Sequence, residues 1–245
     1  MKKIILIAAA VIVCLTAVFC AAACGDEGDF KPEDTLSYDQ YMYYFGKTEE
    51  LEAELIGVNK EELFISDGKV GTLVDEVRLS LRPLKPAMLD KEYTYVLTGE
   101  SGTLSGALSK DNFGVTFAAQ LQGVEEIGKV LSVTFTDGEG KVTEVALENA
   151  VTEIDNKAAL QIAAESFKAE IDAALAEGDF NRETYVKLVR NDHDPEGGFY
   201  WFVSFIADRD DYWAALIDSK TGEVISTRKS TAAEDTETVV TTPQD

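Results

Sequence analysis

Apolar residues recur every three or four positions between residues 157 and 177. The stripe consists of Leu160, Ala163, Ala164, Phe167, Ile171, Ala174 and Leu175. This spacing matches the 3.6-residue turn of an α-helix and gives the helix one apolar side. Because Asp155 or Asn156 can cap its start and Gly178 can close its end, the pattern predicts one helix over residues 157–177.

Four strand-like runs rich in aromatic and β-branched residues follow this helix, at residues 184–190, 199–207, 212–217 and 224–228, with polar turns between them. The second strand has an unbroken apolar side, made of Phe199, Trp201, Val203, Phe205 and Ala207. We therefore expect it to be the core strand of an antiparallel sheet.

The region before the helix, residues 36–150, carries shorter strand-like runs separated by polar turns. The runs lie at residues 63–66, 73–82, 93–98, 103–108, 114–121, 130–136 and 142–147. Short strands at such spacing are typical of an antiparallel sandwich or barrel-like sheet. Ahead of them, the aromatic cluster at 38–45 fits a short helix, and Thr48 is suited to cap a second one.

The predicted fold class is therefore α+β. A β-rich, sandwich-like antiparallel domain with short N-terminal helices would occupy residues 36–150, and a helix-plus-antiparallel-sheet domain would occupy residues 151–228. A groove between the two would be a natural ligand site. The tail at 229–245 is rich in Thr, Ala and acidic residues, and we expect it to be disordered.

The last predicted strands end in Tyr-Trp-Ala-Ala-Leu-Ile-Asp-Ser-Lys-Thr-Gly-Glu-Val-Ile at residues 212–225. With the helix before it, this ending resembles a PepSY or PepSY-like domain, and the resemblance covers the C-terminal third. The family is a non-catalytic module of secreted peptidase propeptides and cell-envelope proteins, where it is thought to bind or restrain peptidases. The resemblance therefore implies a binding protein, not an enzyme. Taken alone, Asp218, Thr221 and Gly222 also fit an ordinary β-turn.

The first residues predict where the protein is located. Two lysines precede an apolar run at residues 4–23, and small residues lead to Cys24. This resembles a bacterial lipoprotein signal, with residues 1–23 cleaved and Cys24 lipidated, although Ala21 departs from the usual leucine. An uncleaved membrane helix is the alternative that a run of this length permits. We expect an acidic tether at residues 24–35 and a lipid anchor on the extracytoplasmic face of the cell membrane.

Cysteine content and charge exclude several functions. Beyond Cys24 the chain has no cysteine, which excludes a thiol nucleophile and a thiolate metal site. The formal net charge is −23; residues 36–150 hold 20 acidic and 10 basic side chains, and residues 151–228 hold 16 and 8. So acidic a surface repels nucleic acid, and we expect no nucleic-acid partner.

The loop at residues 191–198 contains the candidate chemistry. Its His193 is the only histidine and has no marked catalytic partner. The alternating acids Asp192, Asp194 and Glu196, followed by a glycine, match the first half of a calcium loop. The pattern then fails, because Val203 stands where a bidentate glutamate is needed. A weak calcium site would have to borrow ligands from residues 208–211; otherwise the prediction is no cofactor.

The candidate protein-binding surface is the sheet face or strand edge around Tyr200, Phe202 and Tyr212. A partner peptidase or other envelope protein could add a strand at such an edge. These aromatic side chains equally fit a second buried face under the N-terminal domain. Two further functions stay open: a surface solute- or calcium-binding lipoprotein, and a hydrolase that uses paired carboxylates.

Overall fold

The structure is a computed structural model that describes residues 30–63, 65, 67–178, 180–191, 198–231 and 234–239, the last six by backbone only. Contacts divide the chain into two units, Met1–Lys31 and Pro32–Asp245. The fold described below is that of the second unit. The signal segment, Cys24 and nearly all of the tether lie outside the described residues.

The second unit is mostly antiparallel β-structure with two short helices. Its strands are β1 (Leu36–Lys47), β2 (Leu51–Glu61), β3 (Leu73–Pro83), β4 (Tyr93–Gly99), β5 (Thr103–Ala107), β6 (Ser109–Lys110), β7 (Phe117–Leu121), β8 (Val130–Asp137), β9 (Val142–Ala146), β10 (Glu148–Asn149), β11 (Glu183–Arg190), β12 (Phe199–Asp208), β13 (Asp211–Asp218), β14 (Val224–Thr231) and β15 (Glu234–Val239). The helices are α1 (Asn156–Ser166) and α2 (Lys168–Ala176), and 3₁₀ turns lie at Pro32–Thr35, Pro86–Met88 and Val124–Ile127.

One large sheet crosses the boundary that the sequence predicts at residue 150. Its described strands run in the order β15-β14-β13-β12-β11-β1-β2-β3-β7-β6, and β10 pairs with β1. Strand β1 joins the two segments, because it pairs antiparallel with β2 and parallel with β11. The predicted division into two domains stays a prediction, but the two segments share this sheet.

A second sheet of four strands, ordered β5-β4-β8-β9, builds the sandwich-like part of the molecule. One apolar core contains residues of both sheets. It includes Leu55, Leu79 and Phe117 of the large sheet and Leu97 and Phe135 of the small one, all nearly or fully buried. Predicted strands 73–82, 93–98, 103–108, 130–136 and 142–147 are confirmed to within a few residues.

The helical segment α1–α2 packs on the C-terminal part of the large sheet through Phe167. Asp155 caps α1 by accepting a hydrogen bond from the backbone N–H of Ala158 at 2.8 Å. The fully buried Phe167 packs against Phe205 and Trp213, with ring centroids 6.0 and 6.1 Å apart. The prediction of one helix is wrong at Phe167, where the backbone leaves helical geometry (φ −111°, ψ 20°). Neither described helix is long and apolar enough to cross a membrane.

Two sequence predictions are wrong. The aromatic cluster at 38–45 lies on strand β1, and Thr48 starts the turn into β2, so neither predicted N-terminal helix forms. Leu63 and Ile65 are not in a strand. Disorder of the whole tail at 229–245 stays a prediction; within its described residues, the end of β14 pairs antiparallel with the backbone of β15.

Candidate functional site

The candidate site is one face of strands β12 and β13. Because side chains alternate along a strand, Tyr200, Phe202 and Ile206 of β12 point away from Trp201, Val203 and Phe205. Register places Tyr212 opposite Ile206 and Leu216 opposite Phe202. Tyr200, Phe202, Ile206, Tyr212 and Leu216 therefore share one side of the sheet. We call these five residues the aromatic face.

The aromatic face is open to solvent at Phe202, whereas Ser204 and Ala214, which share this side of the sheet between Phe202 and Tyr212, are buried. Phe202 is 37% exposed, and Tyr200 and Tyr212 are half-buried. The sequence left open whether these rings form a second buried face, and at Phe202 they do not. An exposed aromatic ring that the register places directly opposite an apolar residue, here Leu216, is typical of a binding surface.

Basic groups border this face in an otherwise acidic protein. Exposed Lys187 on β11 lies directly across from Phe202. The Arg228 guanidinium of β14 lies 5.9 Å from the centroid of the Tyr212 ring. A guanidinium above a tyrosine ring is attracted to the negative face of the ring.

The strands that carry the aromatic face are interior strands. Strand β12 pairs with β11 on one side and with β13 on the other, and β13 continues to β14. The backbone N–H and C=O groups of these strands therefore already form hydrogen bonds with the neighbouring strands. The predicted strand addition at an edge around Tyr200, Phe202 and Tyr212 is therefore wrong. A partner can contact only the side chains of these strands.

The opposite side of the same strands is a packed core. Trp201, Val203, Phe205, Ala215 and Ile217 are at most 5% exposed. The Arg182 guanidinium stacks on the Trp213 ring at 3.9 Å and donates to Asp211 at 2.8 Å. Because rotamers of the core fix the backbone, the aromatic face is held on a rigid support.

The turn that follows β13 is held by hydrogen bonds to the side chain of Asp218. The Asp218 carboxylate accepts hydrogen bonds from the backbone N–H groups of Lys220 and Thr221 at 2.9 and 2.8 Å. Burial acts to raise the pKa of Asp218, but these hydrogen bonds outweigh it and the pKa is lowered. Gly222 has a φ of +75°, which is favourable only for glycine. Asp218, Thr221 and Gly222 thus stabilise this turn.

The candidate calcium ligands Asp192, Asp194 and Glu196, together with His193, lie outside the described residues. Two of the three acids proposed to assist them are engaged elsewhere: Asp208 accepts from the backbone N–H groups of Asp210 and Asp211, and Asp211 pairs with Arg182. They also lie at the far end of β12 from Phe199, about 30 Å along a ten-residue strand. Within the described ranges, no group of three or more His, Cys, Asp or Glu side chains could hold a metal ion.

A buried carboxyl pair is a feature that the sequence did not reveal. Glu183 is fully buried, and burial raises its pKa, with Glu61 and Asp67 adding repulsion. Glu61 is 4% exposed and accepts from the Gly71 N–H. A raised carboxyl pKa is useful to a hydrolase, but here both carboxyls are sealed from substrate.

A second buried acid links the two halves of the sheet. Glu52 of β2 is 3% exposed and accepts hydrogen bonds from Arg82 of β3 and Arg190 of β11. Burial acts to raise the pKa of Glu52, but the two guanidinium groups outweigh it and the pKa is lowered. The Arg190 guanidinium also lies 5.3 Å from the Phe45 ring centroid.

No family model, no curated protein and no solved structure matches this chain.

Proposed function

We propose that this chain is a non-catalytic binding protein, lipid-anchored through Cys24 on the extracytoplasmic face of the cell membrane. Its partner is a peptidase or another envelope protein, and the aromatic face is the surface that binds it. The C-terminal segment acts as a PepSY-like module. The observation that carries the proposal is the exposure of Phe202 between half-buried Tyr200 and Tyr212.

Three features support binding through side chains on this face. Tyrosine and phenylalanine contribute large contact areas at low entropic cost. The support beneath them is a packed core, so a partner meets a preformed surface. Lys187 and Arg228 offer cations to an acidic partner segment, in a chain whose net charge is −23.

The test is site-specific photo-crosslinking in intact cells. Benzoylphenylalanine is placed at position 200, 202 or 212, and in a control at Val142, which is 62% exposed on β9 of the small sheet. We expect the three positions on the aromatic face to capture the same envelope protein, and position 142 to give no such product. Equal capture at position 142, or none at position 202, contradicts the proposal.

A charge substitution tests whether the partner binds through the aromatic face or only lies near it. Phe202→Glu places a carboxylate at the centre of the face, where binding would have to bury it. We expect this change to abolish crosslinking from position 212 while the circular dichroism spectrum stays unchanged. Val142→Glu is the matched control and should leave crosslinking intact.

A further inference from the structure

The edge of β1 that faces β11 is paired in two separate pieces. Its parallel pairing with β11 ends at Asp39, and its antiparallel pairing with β10 begins at Tyr44. Residues 40–43 lie between the two ladders, with the Tyr43 carbonyl accepting from the Ala150 N–H at 2.8 Å. Four residues of strand span about 13 Å, which is the length of a short extended segment.

A cavity of about 320 Å³ opens beside this gap. Its wall consists of residues 40–43 of β1, the linker 149–152, the start of α1, and Leu188 and Trp201 of the next two strands. The volume is at the lower end of the range of ligand pockets, about 300–1,000 Å³. It therefore suits a ligand of a few residues at most.

Gln40 is the unusual residue of this wall. It is 1% exposed, and neither its Nε2 nor its Oε1 atom has a hydrogen-bond partner. A buried polar group without a partner costs about 1–3 kcal/mol, so native proteins retain few of them.

Two other polar side chains in the wall are already satisfied. The Asn156 amide donates to Asp39 at 2.7 Å, and the Trp201 indole N–H donates to the Ile154 carbonyl at 2.7 Å. Gln40 differs from both, because its side-chain amide is buried and neither of its polar atoms has a partner among the described residues.

The charge of the wall selects the ligand class. It contains no lysine or arginine, and Asp155 contributes a carboxylate. An anionic ligand would find no basic side chain here. A primary amide offers two donors and an acceptor, and a peptide group presents the complementary acceptor and donor.

We propose that this cavity binds a neutral extended peptide segment of about three residues, whose backbone pairs with the Gln40 amide and lies along residues 40–43 of β1. Because the amide is sealed from solvent in this structure, the ligand draws it out by a side-chain rotation. Trp201 and the aromatic residues at positions 200 and 202 point to opposite sides of β12, so this site is separate from the aromatic face.

The test uses purified full-length protein labelled with ¹⁵N-glutamine, and the capped tripeptide acetyl-Ala-Ala-Ala-amide as probe. The chain has five glutamines, and Gln161, exposed on α1, is the internal reference. We expect a saturable shift of the Gln40 side-chain amide signals and no shift at Gln161. Sodium acetate and N-acetylglucosamine, tested at the same concentration, represent an anion and an amide-bearing sugar.

The proposal is overturned if the peptide leaves the Gln40 signals unchanged, or if acetate or the sugar shifts them equally. It is also overturned if the amide shows magnetisation transfer only from a bound water, because the wall then holds an ordered water. A second measurement uses the melting temperature. Gln40→Leu should remove the increase caused by the peptide, and Gln161→Leu should keep it; a full increase in Gln40→Leu refutes the site.

Discussion

Single buried charges decide stability at the residue scale, and Glu52 is the clearest case. Its carboxylate is 3% exposed between the Arg82 and Arg190 guanidinium groups. We expect Glu52→Gln to lower the free energy of unfolding at pH 7 by roughly 1.5–3 kcal/mol, because the guanidinium groups of half-exposed Arg82 and more buried Arg190 lose a charged hydrogen-bond acceptor. Urea unfolding followed by tryptophan fluorescence measures the change.

The control for this prediction is Glu50→Gln. Glu50 bridges Lys85 and Lys141, which lowers its pKa to about 2, but both lysines are half exposed and well solvated. Its removal should have a much smaller effect than the loss of Glu52. Equal effects of the two substitutions would contradict the argument from burial.

The pH dependence of the Glu52 contribution has a definite sign. The pKa of the folded state lies below the ordinary glutamate value of 4.5. The carboxylate therefore stabilises the fold fully above that value, and the contribution falls as pH drops through the lower folded pKa. The difference in stability between wild type and Glu52→Gln should shrink on acidification below pH 4.5.

The N-terminus of α1 gives a prediction at the scale of one element. The Asp155 carboxylate accepts from the Ala158 N–H, one of four that a helix leaves unpaired at its start. We expect Asp155→Ala to lower the free energy of unfolding by about 0.5–2 kcal/mol. Because Trp201 donates to the Ile154 carbonyl next to the cap, the tryptophan emission should also change in the native state.

The matched control is Asp172→Ala on α2. Asp172 forms an exposed pair with Lys168 four residues earlier and caps no helix. It should change stability less than the cap, and it should leave the native tryptophan emission as it was. A loss at Asp172 as large as that at Asp155 would count against the capping argument.

Elements were predictable wherever a strand kept a regular period. The strand at 199–207 has an apolar residue at every second position from Phe199 to Ala207, and the structure confirms it together with the strands at 184–190 and 212–217. Strand β1 was mistaken for a helix because a bulge shifts its register between Gln40 and Met42, which spaces its aromatic residues by three. Strand β2 has apolar residues at alternate positions, Leu51, Ala53 and Leu55, but Thr48 followed by Glu49 and Glu50 just before it resembles the start of a helix.

The arrangement of the whole molecule was not readable from the sequence. The parallel pairing of β1 with β11 joins residues about 150 positions apart, and no local pattern specifies such a pair. The burial of Glu183 and Glu52 depends on the same pairing, so these acids looked like ordinary surface charges. The aromatic face was predictable because alternation alone assigns Tyr200 and Phe202 to one side of β12.

The shared sheet leads to a prediction for the whole unit. Strand β1 pairs with β2 and β11, and Glu52 binds arginines on both sides of the predicted boundary at residue 150. Loss of the C-terminal segment would expose the edge of β1 and remove one of the two guanidinium partners of Glu52, and loss of the N-terminal segment would expose the edge of β11. We therefore expect one cooperative unfolding transition in urea.

Fluorescence reports only the C-terminal segment, since both tryptophans, Trp201 and Trp213, lie there, whereas far-ultraviolet circular dichroism reports all strands. Coincident midpoints support one cooperative unit, and two separated transitions would favour independent domains on either side of residue 150.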